Sequence, residues 1–268
     1  MGAMMDQVWQ YRTPRTRLLI WAGWFATVAL FVWCWNLMTA RTNWGFVRDA
    51  PQAAGDLLGR AVPPRWSYME RLWAPLWDTI NIATLGTLLG IVIAVPLAFL
   101  AARNTTPSAL ILRPFALFCI VASRSINSLI WALLLVSILG PGILAGIIAI
   151  GFRSVGFIGK LLYEAIEETD IRQIEAITAT GASQAQVLSY GIVPQVLPTF
   201  YGISVFRWDI NIRESAILGL VGAGGIGMQL QSSLNVLAWP QVSLIILVIL
   251  GTVVISEWVS AKVRHMVI

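Results

Sequence analysis

Residues 164–194 of the chain, EAIEETDIRQIEAITATGASQAQVLSYGIVP, form a polar segment between long hydrophobic stretches. Asp170 is a residue type that caps helices, and isoleucines recur every three positions from Ile171 to Ile177. Gly181 can adopt the left-handed conformation that ends many helices. The first half of the segment therefore predicts a short amphipathic helix that ends at Gly181.

The second half of the segment predicts another short helix. Ser183 followed three residues later by Gln186 has the form of a capping box. Gly191 and Pro194 are expected to close this helix. The predicted unit is a helix, a turn and a helix.

Two simpler interpretations of this unit are a DNA-binding helix-turn-helix and a solvated connector with no partner. The segment carries five acidic residues and one basic residue, Arg172. Its net negative charge would repel the phosphates of DNA. The acidic residues are Glu164, Glu167, Glu168, Asp170 and Glu175. A nucleic-acid partner is therefore not expected.

The composition is that of a membrane protein. Of the 268 residues, 57% are hydrophobic and only 12% are charged, and the mean hydropathy is +0.76. Because Lys and Arg in such a chain report topology, the net charge of +5 does not imply an acidic partner. Cys34 and Cys119 lie in apolar stretches and His265 is the only histidine, so neither a metal site nor a catalytic residue is predicted.

Six hydrophobic stretches are long enough to cross a bilayer. They cover Leu18–Met38, Leu76–Ala102, Phe115–Leu139, Ile143–Leu162, a span that opens near Pro194, and Val242–Val259. We therefore predict an all-α integral membrane protein with about six transmembrane helices and both termini in the cytoplasm. Residues 1–75 would form an N-terminal tail, the first helix and an external loop at 40–74, and residues 76–268 would form the core.

Four arginines and two acids are prominent among the charged residues within the predicted spans, namely Arg124, Arg153, Arg207, Arg213, Asp209 and Glu214. A charge that faces lipid at mid-depth costs about 2.5–3.5 kcal/mol, so these residues must line the bundle interior or a wet pathway. Asp209 and Arg213 are four residues apart and can pair on one helix, with Asn211 in the neighbouring stripe. The excess of arginine over acid favours a route for an anion.

The polar segment resembles the EAA loop of permease subunits of ATP-binding-cassette importers. The resemblance is carried by Glu175-Ala176, by Gly181 six residues after the glutamate, and by Pro194 thirteen residues after the glycine. The segment departs from the pattern at Ile177, Gly191 and Val193. The resemblance implies a cytoplasmic loop whose helix lies in a groove of the ATPase subunit and couples hydrolysis to transport. The residues implied in coupling are Glu175, Ala176, Gly181, Pro194, Ile171 and Ile174.

Three further stretches resemble permeases of phosphonate and phosphite importers. They are Arg207-Trp208-Asp209-Ile210-Asn211-Ile212-Arg213, Arg124-Ser125-Ile126-Asn127, and the Gly-rich Val221-Gly222-Ala223-Gly224-Gly225-Ile226-Gly227. With the charged residues of the spans, they give a candidate substrate pathway of Arg124, Asn127, Arg153, Arg207, Asp209, Asn211, Arg213 and Glu214. The Gly-rich segment, Gly222, Gly224, Gly225 and Gly227, is expected to allow close helix packing or to form an outer re-entrant loop.

The resemblance implies a type I, MetI-like importer permease core in the cytoplasmic membrane of a bacterium. It implies import of a phosphorus oxyanion such as a phosphonate or phosphite. The expected partners are a second permease copy forming a homodimer, two cytoplasmic ATPase subunits that hold ATP and Mg, and an external substrate-binding protein. The chain itself contains no G-x-x-x-x-G-K-[ST] motif, so we expect no cofactor on it and no enzymatic activity.

Three other functions compete with this one. The chain could be an ABC permease for methionine or another oxyanion. It could be an ion-coupled secondary transporter in which Asp209 and Glu214 carry protons or ions. An intramembrane enzyme is the third, but the sequence offers no nucleophile and base pair for it.

Overall fold

The computed structural model describes residues 14–267, which are helical apart from turns and short connections and contain no strand. The helices are α1 Pro14–Arg41, α2 Trp44–Ala61, α3 Trp73–Ala101, α4 Leu112–Ser125, α5 Ser128–Leu139, α6 Ile143–Glu167, α7 Ile171–Ala179, α8 Gln184–Val187, α9 Val193–Leu218, α10 Ile226–Asn235 and α11 Trp239–Val267. Short 3₁₀ turns occupy Trp66–Leu72 and Gly219–Val221, and a π-helical turn occupies Leu188–Ile192. The start of the predicted N-terminal tail, residues 1–13, lies outside the described residues.

The all-α membrane fold is confirmed. Among residues 14–267, four helices are long and apolar enough to cross a membrane: α1, α3, α6 and α11. The bent pair of α4 and α5 makes a fifth span if it is counted as one. α9 has 26 residues, about 39 Å at 1.5 Å per residue, but it carries four charged side chains. The predicted total of six spans is reached only if α9 is included.

Contacts divide the chain into one compact unit that ends at Leu57 and a second that begins at Leu58. In the first unit, α1 encloses the predicted span Leu18–Met38. Residues 40–74, predicted as a loop with an interfacial segment, contain the 18-residue helix α2, and none of its residues is buried. Its polar and Pro-rich composition suggested a loop, but apolar residues such as Trp44 and Val47 recur at helical spacing.

The third predicted span is not one continuous helix. α4 and α5 meet at an angle of 88°. Ile126 and Asn127 are extended, and the Asn127 side chain accepts a hydrogen bond from the backbone N–H of Leu129 at 3.1 Å. Asn127 therefore caps a new helix in the middle of the apolar stretch, so the predicted span over Phe115–Leu139 is broken at this bend.

The prediction that Gly191 and Pro194 close the second short helix was also wrong. α8 continues through the π-helical turn directly into α9. Pro194 is the second residue of α9, a position where its missing N–H is not needed. Gly191 serves packing instead, since a Cβ atom there would lie 3.3 Å from Cδ1 of Ile177.

The core of the second unit is the pair α3 and α6, against which α9 packs, with α11 on the far side of α9. Glycines let the two backbones approach. A Cβ atom at Gly90 would lie 2.5 Å from Cβ of Ser154, and one at Gly151 would lie 2.7 Å from Cδ2 of Leu89. This close contact of small residues is a common way to pack helices in a membrane.

We expect Gly90→Leu to destabilise the protein severely, because the new side chain must push α3 away from α6. Overpacking a core costs about 1–3 kcal/mol or more. The measurement is the yield of monodisperse protein after detergent extraction and its apparent midpoint of thermal unfolding. Gly251→Leu on α11 is the matched control, since no atom lies within 4 Å of a Cβ there. Equal behaviour of the two variants would contradict the prediction.

Candidate functional site

The polar segment has the local structure that its sequence predicts. The Asp170 side chain accepts a hydrogen bond from the backbone N–H of Arg172 at 2.9 Å and caps α7. Gly181 ends this helix region in the left-handed conformation, with φ of +81°. Ser183 and Gln186 form both bonds of a capping box. These local predictions are confirmed.

One face of α7 is turned toward the protein and the other is free in this chain. Ile174 and Ile177 are half-buried, and both lie against the π-helical turn. The opposite face is exposed and consists of Arg172, Glu175, Ala176 and Ala179. Ile171 lies at the edge of this face and is 66% exposed. The free face therefore combines two alanines with one acid and one base.

The polar segment is tied to its neighbours by bonds that sequence reasoning missed. The backbone N–H of Asp170 donates to Oε1 of Gln195 at 2.9 Å, which links it to the start of α9. Nδ2 of Asn104 donates to the carbonyl of Ile166 at 2.6 Å. Glu167 accepts from the backbone N–H of Arg103 at 2.9 Å. The segment is thus attached to the α3–α4 connection through the end of α6, and to α9 through the cap of α7.

A buried charge cluster lies where α6 meets α9. Oε1 of Glu214 is 3.3 Å from Nε of Arg153, and its Oε2 is 3.4 Å from Nη2 of Arg207. The Arg207 side chain is 2% exposed, while those of Glu214 and Arg153 are 17% and 30% exposed. One carboxylate therefore bridges two arginines from different helices.

Uncharged polar groups extend this cluster to α3. Nε of Arg207 donates to Oγ of Ser154 at 3.0 Å. Nδ2 of Asn211 donates to the same Ser154 oxygen at 3.0 Å and to Oγ1 of Thr87 at 2.7 Å. Thr87 and Ser154 were not predicted as site residues, because single hydroxyl residues are common in apolar helices.

A second polar contact joins α9 to α11. Asp209 and Arg213 form the ion pair that their spacing predicts, with Nη2 of Arg213 2.9 Å from Oδ2 of Asp209. Oγ of Ser256 on α11 donates to Oδ1 of Asp209 at 2.8 Å. In residues 14–267, no group of three or more His, Cys, Asp or Glu side chains is placed to hold a metal ion.

The remaining candidate pathway residues, Arg124 and Asn127, lie apart from this cluster at the bend between α4 and α5. Both are exposed in this chain. Within residues 14–267, Arg124 has no ion-pair partner, whereas Arg153, Arg207 and Arg213 each have one. The charged pathway residues therefore divide into a paired set around α9, with buried Arg207 and Asp209, and the unpaired Arg124 at the bend.

The Gly-rich segment is packed into the bundle at the far end of α9. The carbonyl of Gly222 accepts from the N–H of Gly142 at 3.0 Å, and the N–H of Ile226 donates to Oγ1 of Thr79 at 2.8 Å. Three of the four predicted glycines are buried: Gly224, Gly225 and Gly227. The segment joins α3, the α5–α6 turn and α10 at close range, which is the helix-packing role expected for it.

Residues 86–265 match the family described as binding-protein-dependent transport system inner membrane component. The phosphite transport system permease protein PtxC of Stutzerimonas stutzeri is 38% identical over 240 residues, 90% of this chain and 86% of that protein. The phosphate-import permease protein PhnE of Mycolicibacterium smegmatis is 40% identical over 79% of this chain, which spans 40% of that protein.

The fold is also found among solved structures. A chain of the inward-facing MetNI methionine ABC transporter superposes with a TM-score of 0.65 at 20% identity, covering 76% of this chain and 99% of that one. At this identity the likeness concerns the fold alone. The family match covers most of the chain and the closely similar phosphite permease covers nearly all of it. The chain therefore belongs to the inner membrane components of binding-protein-dependent transport systems, and is a transport permease rather than an enzyme.

Proposed function

We propose that this chain is the permease subunit of an ATP-driven importer that moves a phosphorus oxyanion, such as phosphite or a phosphonate, across the cytoplasmic membrane. The observation that carries the proposal is the 38% identity to a phosphite permease over 90% of the chain. The charge of the helix bundle supports it. Three arginines and two acids take part in the contacts of α9, and Arg124 adds a further positive charge. Such an excess favours an anion over a neutral amino acid or a cation.

The polar segment 164–194 is the proposed docking site of the ATPase. Its helix α7 is held at the edge of the bundle, and its face of Arg172, Glu175, Ala176 and Ala179 is free. The ATPase partners would supply ATP and Mg, because the chain has no phosphate-binding loop of its own. Closure of two ATPase subunits would then move α7 and, through the attached helices, open or close the pathway as a rigid-body change.

The rest of the assembly follows from the same proposal. A second copy of the chain would complete a central pathway, and an external binding protein would deliver the anion. The polar segment would lie in the cytoplasm, and both chain ends would lie on that side. An ion-coupled secondary transporter is disfavoured, because Asp209 and Glu214 are both paired with arginine rather than free to exchange protons.

The test is uptake in cells that lack their own phosphorus importers. The chain is expressed with its ATPase and binding protein, and growth is measured on phosphite, methylphosphonate or phosphate as the only phosphorus source. We expect growth on at least one of these anions, and we expect it to be lost when the ATPase cannot hydrolyse ATP. Methionine uptake in a methionine auxotroph is the control. Transport of methionine without any phosphorus anion would overturn the proposal, as would uptake that needs no ATPase.

A further inference from the structure

A cavity of about 360 Å³ lies between α4 and α6, in the half of α6 that leads to the polar segment. Its wall has a polar part and an apolar part. One part carries polar and charged side chains, Arg124, Ser125, Lys160 and Tyr163, and the other carries apolar side chains, Leu117, Ile120 and Val121. Cavities that bind small molecules usually measure about 300–1,000 Å³ and combine an apolar wall with a few polar groups.

Close packing of the two helices holds this cavity in shape. A Cβ atom at Gly156 would lie 2.6 Å from the backbone N of Arg124 and 2.7 Å from the carbonyl oxygen of Ile120. The Ser123 hydroxyl donates to the carbonyl of Phe152 and accepts from the N–H of Gly156 at 2.9 Å. The end of α4 is therefore held against the middle of α6. This contact fixes the position of the backbone that carries Arg124.

The two cations of the cavity lack strong partners. Arg124 has no ion-pair partner among residues 14–267. Lys160 has one, Glu164, with Nζ 3.4 Å from Oε1, but the two side chains are 37% and 41% exposed, so the pair contributes little. Arg124 lies in the last turn of α4, at the bend inside an apolar stretch, where a charge that faces lipid at mid-depth would cost about 2.5–3.5 kcal/mol. Arg124 and Lys160 are therefore available to bind an anion that comes from outside the chain.

We infer that this cavity binds a phosphorus oxyanion that carries an apolar substituent. An arginine guanidinium can bind two oxygens of such an anion at once, and a lysine ammonium adds a point charge. The Tyr163 hydroxyl lies beside the Glu164 carboxylate and can donate to the anion when it turns away from that group. The apolar wall receives the substituent. The inference rests on the proposed function and assigns to the transported phosphonate a binding site on the cytoplasmic half of its route. The headgroup phosphate of a phospholipid has the same chemistry.

The test is binding of phenylphosphonate to the purified permease–ATPase complex, without binding protein, in phosphate-free maltoside and with ADP saturating the ATPase. Binding is followed by the shift in thermal unfolding with probe concentration. We expect Lys160→Gln to need about tenfold more probe for the same shift in unfolding temperature, because it loses one charged hydrogen bond. Glu164→Gln should need up to about threefold less, because a competing carboxylate is removed. Lys262→Gln, an exposed lysine outside the cavity, should match the native chain.

A general loss of stability would not weaken probe binding in Lys160→Gln and strengthen it in Glu164→Gln. If Arg124→Gln fails to assemble, Lys160→Gln and Tyr163→Phe decide the outcome. Unchanged binding in both would overturn the inference. Native mass spectrometry of the same variants distinguishes the two sources: retained phospholipid that disappears in Lys160→Gln and is not displaced by phenylphosphonate would assign the site to lipid. Lysine-dependent binding in a chain that imports no phosphorus anion would contradict only the proposed function, whereas import with lysine-independent binding would contradict only this site.

Discussion

Glu175→Lys is expected to abolish ATP hydrolysis coupled to transport while leaving the membrane protein folded. Glu175 lies on the free face of α7, where its side chain is exposed and holds no part of the bundle together. Reversing the charge of a central interface residue removes about 2 kcal/mol or more of binding energy, which is about a 30-fold loss of affinity. The measurement is co-purification of the ATPase and its stimulation by the binding protein in reconstituted vesicles.

Glu168→Lys is the matched control for this variant. It makes the same charge reversal in the same polar segment, but at the end of α6 instead of on the free face of α7. Equal loss in both variants would indicate a general electrostatic effect rather than a docking face. Full coupling in Glu175→Lys would identify the segment as a connector without a partner.

Gly181 offers an independent test of how this segment works. The residue has φ of +81°, yet no atom lies within 4 Å of a Cβ placed there. Glycine is therefore favoured at position 181 because of the left-handed backbone, and not because a larger side chain would clash with other atoms of this chain. We expect Gly181→Asn to keep coupling, because asparagine tolerates the left-handed conformation, and Gly181→Val to lose it. Loss in both variants would show instead that the ATPase contacts this position directly.

The sequence predicted the polar segment well because its signals are local. Capping by Asp170, the turn at Gly181 and the Ser183 capping box each depend on residues fewer than four positions apart, and all are present. The error at Pro194 arose from the same kind of reasoning. A proline marks either the end of a helix or the first turn of the next one, and only the packing of Gly191 against α7 decides between them.

The bend at Asn127 and the contacts within the charge cluster could not be predicted in the same way. The five residues at the bend, 124–128, include four polar ones, but the apolar residues on both sides together have the length of one long span. The pair of Asp209 and Arg213 was accessible because it lies on one helix turn. Arg153 and Glu214 are on different helices, and their contact depends on how α6 packs against α9, where Ser154 accepts hydrogen bonds from Arg207 and Asn211.

Glu214→Gln is expected to destabilise the protein more than any other single change in this cluster. It leaves both Arg153 and Arg207 without a carboxylate, and the Arg207 side chain is 2% exposed. Removing one partner of a buried ion pair costs about 3–5 kcal/mol, because the remaining charge stays desolvated. The readout is the apparent midpoint of thermal unfolding in detergent, with Glu257→Gln, an exposed carboxylate on α11, as the control.

A double variant separates stability from transport. Arg207→Met combined with Glu214→Leu removes the most buried charge and leaves only Arg153, which is 30% exposed. Replacing a buried pair by apolar residues of similar size is often neutral, so the double variant should unfold at a higher temperature than Glu214→Gln. Uptake should stay lost, because the most buried cation of the proposed anion route, Arg207, is gone. If uptake returns together with stability, the buried pair of Arg207 and Glu214 only holds the helices together, and the anion must be bound by other cations, among them Arg124.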